Sequence, residues 1–290
     1  MAYPQKLILS RKGFDTSTGG IPSWIYEGKT YSIPIPEAGT GVFYDKLQFK
    51  EQYSYLKVLR DLGVKCYSEA HLDPDLQKGI LANRHPNWQA AFGQHGAALS
   101  HLLQSHLAVK AGDIFLFFGW FREIELHKGK FRYVKSAPEI HQIFAWLEIA
   151  EIVTIGSKNP PVSLSWHPHL VFAQEYDRGD NAVFLAKERS TWFEGEKGVG
   201  HFQFHPDLTL SYLGGDTYKR SLWKLPNAFF KKGLCTLSYH ENRRGESIGG
   251  LKGHKLLQSV ARGQEFITPT SKALAQWVKS LQKHIDHEKT

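Results

Sequence analysis

Lys110-Ala111-Gly112-Asp113-Ile114-Phe115-Leu116-Phe117-Phe118-Gly119-Trp120-Phe121 is the stretch on which the fold turns. Gly112-Asp113 supplies turn chemistry, since glycine accepts positive φ and an aspartate side chain bonds nearby backbone. The run Ile114 to Phe118 is short, apolar and aromatic, and reads as a strand. Its continuation to Phe121 is broken by Gly119 and is far too short to span a bilayer, so its apolar density signals a soluble core.

Downstream, Phe121 to Ile140 reads as a hairpin arm plus a loop around Gly129, and Gln142 to Val153 as a strand with partial alternation. After Gly156 to Pro161, His167 to Phe172 reads as a short loop and Asn181 to Ala186 as another strand. Ser271 to His284 carries Leu274, Trp277, Val278 and Leu281 on one face, which predicts a closing amphipathic helix. Upstream, Lys6 to Ser10 is a first strand that delivers the polar loop Arg11 to Ser23. Glu27-Gly28-Lys29 predicts a hairpin, with Pro34 and Pro36 ending its ladder. Leu47, Tyr53, Leu56, Leu59 and Leu62 predict a helix within 44–62 that stops at Gly63. Val64 to Tyr67 reads as a strand, and Asn87 to Gln104 as a second helix.

Helices and strands in irregular order, without long βαβ alternation, predict an α+β fold. The expected architecture is a mixed, largely antiparallel sheet with flanking helices, in one composite domain over 1–290 with no repeat or linker. Eight Trp, twelve Tyr and eighteen Phe exclude a disordered chain, because they carry more buriable surface than a solvated coil. Only Cys66 and Cys235 are present, so neither a disulfide framework nor a thiolate zinc site is indicated, and a reducing cytoplasm is the expected location. The start, Met1 to Lys6, lacks a secretory pattern. An excess of eight positive charges favours an anionic partner such as a nucleotide or nucleic acid, although solubility charge spread over the surface would give the same sum. Lys231-Lys232 and Arg243-Arg244 are too short to be basic nucleic-acid arms.

Three polar constellations can carry chemistry. Ser10 to Ser23 leaves a strand with two cations (Arg11, Lys12), a carboxylate (Asp15), hydroxyls including Ser17, and Gly13, Gly19 and Gly20. Backbone N–H groups and cations in such a loop can approach phosphate, although it is neither a Walker loop nor GxGxxG, and an ordinary surface loop has the same composition. His71-Leu72-Asp73-Pro74-Asp75 places His71, Asp73 and Asp75 on one side of an extended chain, since Pro74 biases Asp73 away from helix. One imidazole and two carboxylates can act as base and orienting acid or hold a divalent ion; the same aspartates also suit a helix N-cap. In Phe92-Gly93-Gln94-His95-Gly96-Ala97, two glycines suggest close approach of a backbone or ligand, with Gln94 and His95 offering hydrogen bonds to a base or sugar. His167-Pro168-His169 could supply metal ligands, but fifteen histidines make chance pairs common, and no metal site is assigned. Trp120, Trp166, Trp192 and Trp223 are candidates for stacking or for the core. Arg262-Gly263-Gln264-Glu265-Phe266 could close a site or cap an edge.

Taken in order, Ser10 to Ser23, His71 to Leu76, Phe92 to Ala97, Gly112 to Phe121 and Arg262 to Phe266 resemble the third of the nucleotide modification associated domain families, met in bacteria and phages. The resemblance runs over most of the chain. It implies action on DNA bases or nucleotides without naming a reaction or a cofactor, and directs attention to Arg11, Lys12, Asp15, Ser17, His71, Asp73, Asp75, Gln94, Gln264 and Glu265. Thr16 before Ser17 departs from the family's loop by an added methyl, which leaves the local hydrogen bonding open. Gly112 to Phe118 with His141 to Leu147 is also similar to the Gly-Asp strand and returning strand of PUA-like barrels, small folds that bind modified bases or RNA. That likeness implies a barrel portion over about 107–190.

The leading expectation is an enzyme that modifies a nucleotide or a DNA base. Arg11, Lys12 and Ser17 would hold phosphate, Asp15, His71, Asp73 or Asp75 would serve as acid or base, and Gln94, His95, Trp120, Gln264 and Glu265 would contact base or sugar. The alternatives are a non-catalytic reader of modified bases and a metal-dependent nuclease or hydrolase with its ion on His71, Asp73 and Asp75. No membrane partner is expected, and nothing in the sequence sets the oligomeric state.

Overall fold

The computed structural model describes residues 5–50, 52–64, 67–104, 106–156, 162–172, 180–215, 218–261 and 263–289. Cys66, Arg262 and parts of the stretches 64–67 and 156–161 lie outside them. Among the described residues ten strands share one sheet: β1 (Lys6–Arg11), β2 (Ser23–Tyr26), β3 (Lys29–Tyr31), β4 (Ala91–His95), β5 (Ile114–His127), β6 (Lys130–Tyr133), β7 (Ile140–Thr154), β8 (Asn181–Ala186), β9 (Val199–His201) and β10 (Glu265–Pro269). The spine runs β10-β1-β5-β7-β8-β4, with β2 and β6 on β5, β3 on β2 and β9 on β7.

Asp113 locks this arrangement at its centre. Its Oδ1 accepts the Lys6 backbone N–H at 2.8 Å and its Oδ2 that of Lys110 at 2.9 Å, so one buried carboxylate ties β1 to the turn entering β5. Gly112, at φ +89°, takes the left-handed conformation the turn needs. From there β1 and β5 run parallel, Leu7 opposite Ile114, while β5 and β7 run antiparallel. Only β1–β5 and β2–β5 are parallel pairs, so the sheet is mixed and largely antiparallel, as expected.

Period-two alternation buries both faces of the central strands. Ile114, Leu116 and Phe118 join Leu7, Leu9, Trp146 and Phe266 on one face, where the helix Lys272–Ser280 also docks Leu274 and Val278. Phe115 and Phe117 join Ile8, Phe92, Leu147 and Phe184 on the other. Each such phenylalanine, fully buried, contributes about 1.5–3 kcal/mol. Register slips at Ile143/Ala145 and Ile149/Glu151 add residues to β7. Such bulges bend a strand and increase its twist, and the sheet curls into a half-barrel with few helices, an α+β fold. The 107–190 segment supplies β5 to β8 of this shared sheet, with β1 and β10 completing it alongside β5.

Two predicted helices are shorter than expected. Over 44–54, Leu47 and Phe49 alternate with solvent-facing Gln48, so Gln48–Lys50 and Tyr53–Ser54 form a ribbon, and the helix α1 (Tyr55–Asp61) starts only after the Ser54 cap. Gly63, at φ +92°, follows its end as read. In 87–104, Ala91–His95 is β4, because Phe92 pairs opposite Phe184 of β8 and is buried on the face of Phe115 and Phe117; the helix α2 (Gly96–Leu103) begins at Gly96. Gly93 and Gln94 therefore stand in a strand, not in a helix. Pro36 likewise does not end pairing: Ile35–Pro36 pairs antiparallel with Ala70–His71.

Candidate functional site

Alternation along β1 separates the two neighbouring cations. Leu9 and Arg11 point to the face of Phe266 and Trp223, Ile8 and Lys12 to the face of Phe92. Lys12 Nζ lies 4.2 Å from the Phe92 ring centroid and 2.9 Å from Glu265 Oε1. Gln94 Nε2 donates to the same Glu265 oxygen at 2.8 Å and approaches Gln264 Oε1 at 3.4 Å. The other Glu265 oxygen, Oε2, and Ser10 Oγ are buried and have no hydrogen-bond partner among the described residues. Lys12, Gln94, Gln264 and Glu265 thus form one polar edge where β1, β4 and β10 converge.

His95, the next residue of β4, is exposed and leads from that edge into a histidine cluster; its ring centroid is 5.7 Å from that of His169, which is 5.4 Å from that of His71. The strand pairing of His71 with Ile35 brings Glu37 within reach, and Glu37 Oε2 lies 2.5 Å from His71 Nδ1. Asp73 follows two residues on, its side chain 6% exposed. Gly93 N–H donates to Asp73 Oδ1 at 2.7 Å, and His167 Nε2 stands 3.5 Å from the same oxygen. Asp73 Oδ2 faces His71 Nε2 at 3.9 Å and His169 Nε2 at 3.8 Å, too far for hydrogen bonds.

Hydrogen-bond partners assign the tautomers. Asn181 Nδ2 donates to the His169 carbonyl at 2.8 Å, which turns Asn181 Oδ1 toward His169 Nδ1 at 2.7 Å as an acceptor. The Glu37 carboxylate is likewise an acceptor. Both rings therefore donate from Nδ1 and turn Nε2 toward Asp73 Oδ2. His167 is reversed: its Nδ1 accepts the His169 backbone N–H at 3.2 Å, capping the helix α3 (Pro168–Val171), so its Nε2 carries a proton toward Asp73.

Burial opposes charge on His71, yet the neighbouring carboxylates of Asp73 and Glu37 push its pKa up to about 9. Burial alone would raise the Asp73 carboxyl; the facing imidazoles of His167, His71 and His169 hold it well below the usual carboxylate range. His169 is pushed down to about 3 by burial, which outweighs the Asp73 charge. Burial, then the His71 charge, lowers His95. Two imidazoles and a carboxylate whose ligand atoms all lie within 4.8 Å of one another can hold a divalent ion, or can work as an acid–base pair.

The remaining predicted residues go elsewhere. Asp75 is buried against Arg84, which bonds both its oxygens at 2.6 and 2.7 Å, and against Trp88 Nε1 at 2.9 Å, so its oxygens are engaged apart from the His71, Asp73 and His169 group. Arg11 donates to the Gly263 carbonyl at 2.9 Å. Asp15 Oδ1 accepts from Ser17 N, Ser17 Oγ and Thr18 N, which closes its own turn and lowers its pKa against its burial. Trp120 lies under the Arg220 guanidinium at 4.1 Å and donates to Glu139. Arg11 and Trp120 belong to the opposite face of the sheet from Lys12. Trp192 and Trp223 are core, and Trp166 packs beside Trp88 and His167.

Sequence reading gave no role to Glu37, Asn181 or Arg84 and set His169 aside as a chance neighbour of His167. The residual signal was the pairing of a His-x-Asp with a His-x-His, but 94 residues separate Asp73 from His167 and no local pattern joins them. Among the described residues, no helix is long and apolar enough to cross a membrane.

No curated protein and no solved structure matches the chain. The family model described as nucleotide modification associated domain 3 matches residues 6–269, which takes in β1 through β10, the polar edge and the histidine cluster. The chain therefore belongs to the nucleotide modification associated domain 3 family.

Proposed function

We propose that this chain is an enzyme that modifies a nucleotide or a base in DNA, with its reaction centre at His71, Asp73 and His169. One observation carries the reading: the strip that begins at Lys12 and the strip that begins at His71 are bridged by Gln94 and His95 of β4 into a single run of polar groups. Convergence of titratable side chains from distant segments is the physical mark of a site, and family membership supplies the substrate class.

Roles follow from the partners each group already has. Asp73, ionised and held at Oδ1, offers Oδ2 as acceptor, and His71, oriented by Glu37, is the group that gives or takes a proton beside it. Lys12 is balanced by Glu265, so it presents a hydrogen-bond donor in place of a net charge. Lys12, Gln94, Gln264 and the buried Oε2 of Glu265, which has no hydrogen-bond partner among the described residues, therefore suit the edge of a base or the hydroxyls of a sugar better than a phosphate. Arg11, Asp15, Ser17 and Trp120, bound up elsewhere, take no part in this reading.

The test is mass spectrometry of nucleosides after the protein is incubated with nucleoside mono-, di- and triphosphates and with duplex DNA. Wild type should change the mass of at least one substrate, and Asp73→Asn should abolish that change while calorimetric binding of the same substrate persists. Turnover by Asp73→Asn at the wild-type rate, or absence of nucleotide and DNA binding by wild type, would overturn the proposal. A reader of nucleic acid would bind with affinity that falls steeply from low to physiological salt and leave every mass unchanged.

A further inference from the structure

We propose that His71 Nε2, His169 Nε2 and Asp73 Oδ2 bind a divalent transition-metal ion. The inference rests on reading this cluster as the reaction centre and adds the cofactor that the centre uses. Its ground is the direction of the groups. Two imidazoles are fixed through Nδ1 by Asn181 and Glu37, the arrangement that orients metal-binding histidines. One carboxylate oxygen is fixed by Gly93 N–H, and the remaining three atoms lie within 4.8 Å of one another.

Separations of 3.8 and 3.9 Å between Asp73 Oδ2 and the two Nε2 atoms are too long for direct bonding. Ligands each about 2.0–2.2 Å from a common ion stand roughly 3–4 Å apart. His167, fully buried, places an Nε2 that has no hydrogen-bond partner among the described residues 3.5 Å from Oδ1 of the same carboxylate. Gly93 completes the setting: a Cβ there would stand 2.3 Å from the His169 ring, so only glycine lets the ring come this close. His95, exposed at the mouth, leads in from the polar edge.

The donor set selects the ion. Two imidazoles and one carboxylate favour zinc, iron(II), cobalt(II), nickel(II) or manganese(II) over magnesium or calcium, which prefer all-oxygen sites. Among the described residues three side chains offer ligands, a number that in catalytic sites goes with positions open for water or substrate. On binding, the ion takes the place of the proton on His71 Nε2, which leaves to solvent, so in the loaded centre His71 is a ligand and its proton-transfer role belongs to the metal-free form. With Asp73 ionised and the Glu37 carboxylate behind His71, a divalent ion is balanced at the centre, so it would act on a substrate as a Lewis acid and not through net charge.

The experiment uses the full chain stripped with a chelator and titrated with Zn²⁺ and with Co²⁺, followed by calorimetry, elemental analysis and the visible Co²⁺ spectrum. Wild type should take up one equivalent; His71→Ala and His169→Ala should lose it. Glu37→Gln, which keeps every ligand, should weaken binding about 10- to 100-fold and so serves if an alanine variant fails to fold. His205→Ala is the control, since the other histidine–aspartate cluster has its Asp207 already engaged by Lys283 at 3.0 Å and by His284 at 3.1 Å. No stoichiometric ion in wild type, or a full equivalent in both His71→Ala and His169→Ala, would overturn the inference. Because the readout needs no substrate, a negative result would leave the reaction-centre reading to the Asp73→Asn turnover assay.

Discussion

Replacing Gly93 with alanine probes the site through a single methyl group. The added Cβ would stand 2.3 Å from His169 Cδ2, about 1.1 Å inside the 3.4 Å of ordinary contact. His169 cannot simply swing away, because Asn181 grips it at both ring and carbonyl. β4 cannot retreat freely either, because Gly93 pairs opposite Val183 on β8. Overpacking of this kind costs about 1–3 kcal/mol. At about 2–4 °C per kcal/mol for a chain of this size, Tm should fall by roughly 2–12 °C.

The stability loss alone would not identify a site, so a matched lesion is needed. Gly200 provides it: a Cβ there would stand 2.3 Å from Trp146 in the core under the other face. Gly93→Ala and Gly200→Ala should lower Tm comparably by scanning fluorimetry. Only Gly93→Ala should lose the equivalent of Co²⁺ and the nucleoside mass change. Wild-type metal uptake and turnover in Gly93→Ala would refute the claim that close approach of β4 to His169 builds the centre; equal loss in Gly200→Ala would show general fragility.

Three further outcomes are expected. Burial pushes His141 and His201 down to about 3, and both are neutral in the fold. Their contribution is complete above the unfolded value near 6.5 and is lost as pH falls toward 3, at about 1.4 kcal/mol per pH unit each. Urea midpoints should therefore drop from pH 6.5 to 5, and flat midpoints would contradict it. Arg84→Met should cost about 3–5 kcal/mol by leaving the Asp75 carboxylate buried and unpaired. Asp75→Asn should cost less, because Arg84 keeps the Gln77 and Lys78 carbonyls; the reverse order in denaturation would refute the pairing argument. Lys12→Met should weaken nucleoside and nucleotide binding alike, whereas a loss confined to phosphorylated ligands would restore Lys12 as a phosphate group.

The apolar run after Gly112-Asp113 was legible because period and composition act over a few residues: Ile114 to Phe118 must be buried, and a strand buries both faces of such a run. Asn181–Ala186, the Ser271-capped helix and the family resemblance were readable on the same local terms. The ribbon at 47–54 and strand β4 were misread because Leu47 and Phe92 fit a helical spacing as well as an alternating one, and pairing with a distant strand settles the choice.

Within the candidate site, His71, Asp73, Lys12, Gln94 and Glu265 stood out by chemistry and spacing. Adjacent Arg11 and Lys12 could not be told apart until β1 acquired neighbours, since alternation separates them but only the two cores say which face each one meets. Asp75 was grouped with Asp73 by the same alternation and withdrawn by Arg84. Glu37, His169 and Asn181 carry no local mark, because a side chain that orients another across a sheet is defined by strand register and contact. By itself the sequence determined which segments are buried, the α+β class and the family. The folded chain alone decided which polar groups meet, because hydrogen-bond and ligand geometry act over a few ångströms between residues far apart along the backbone.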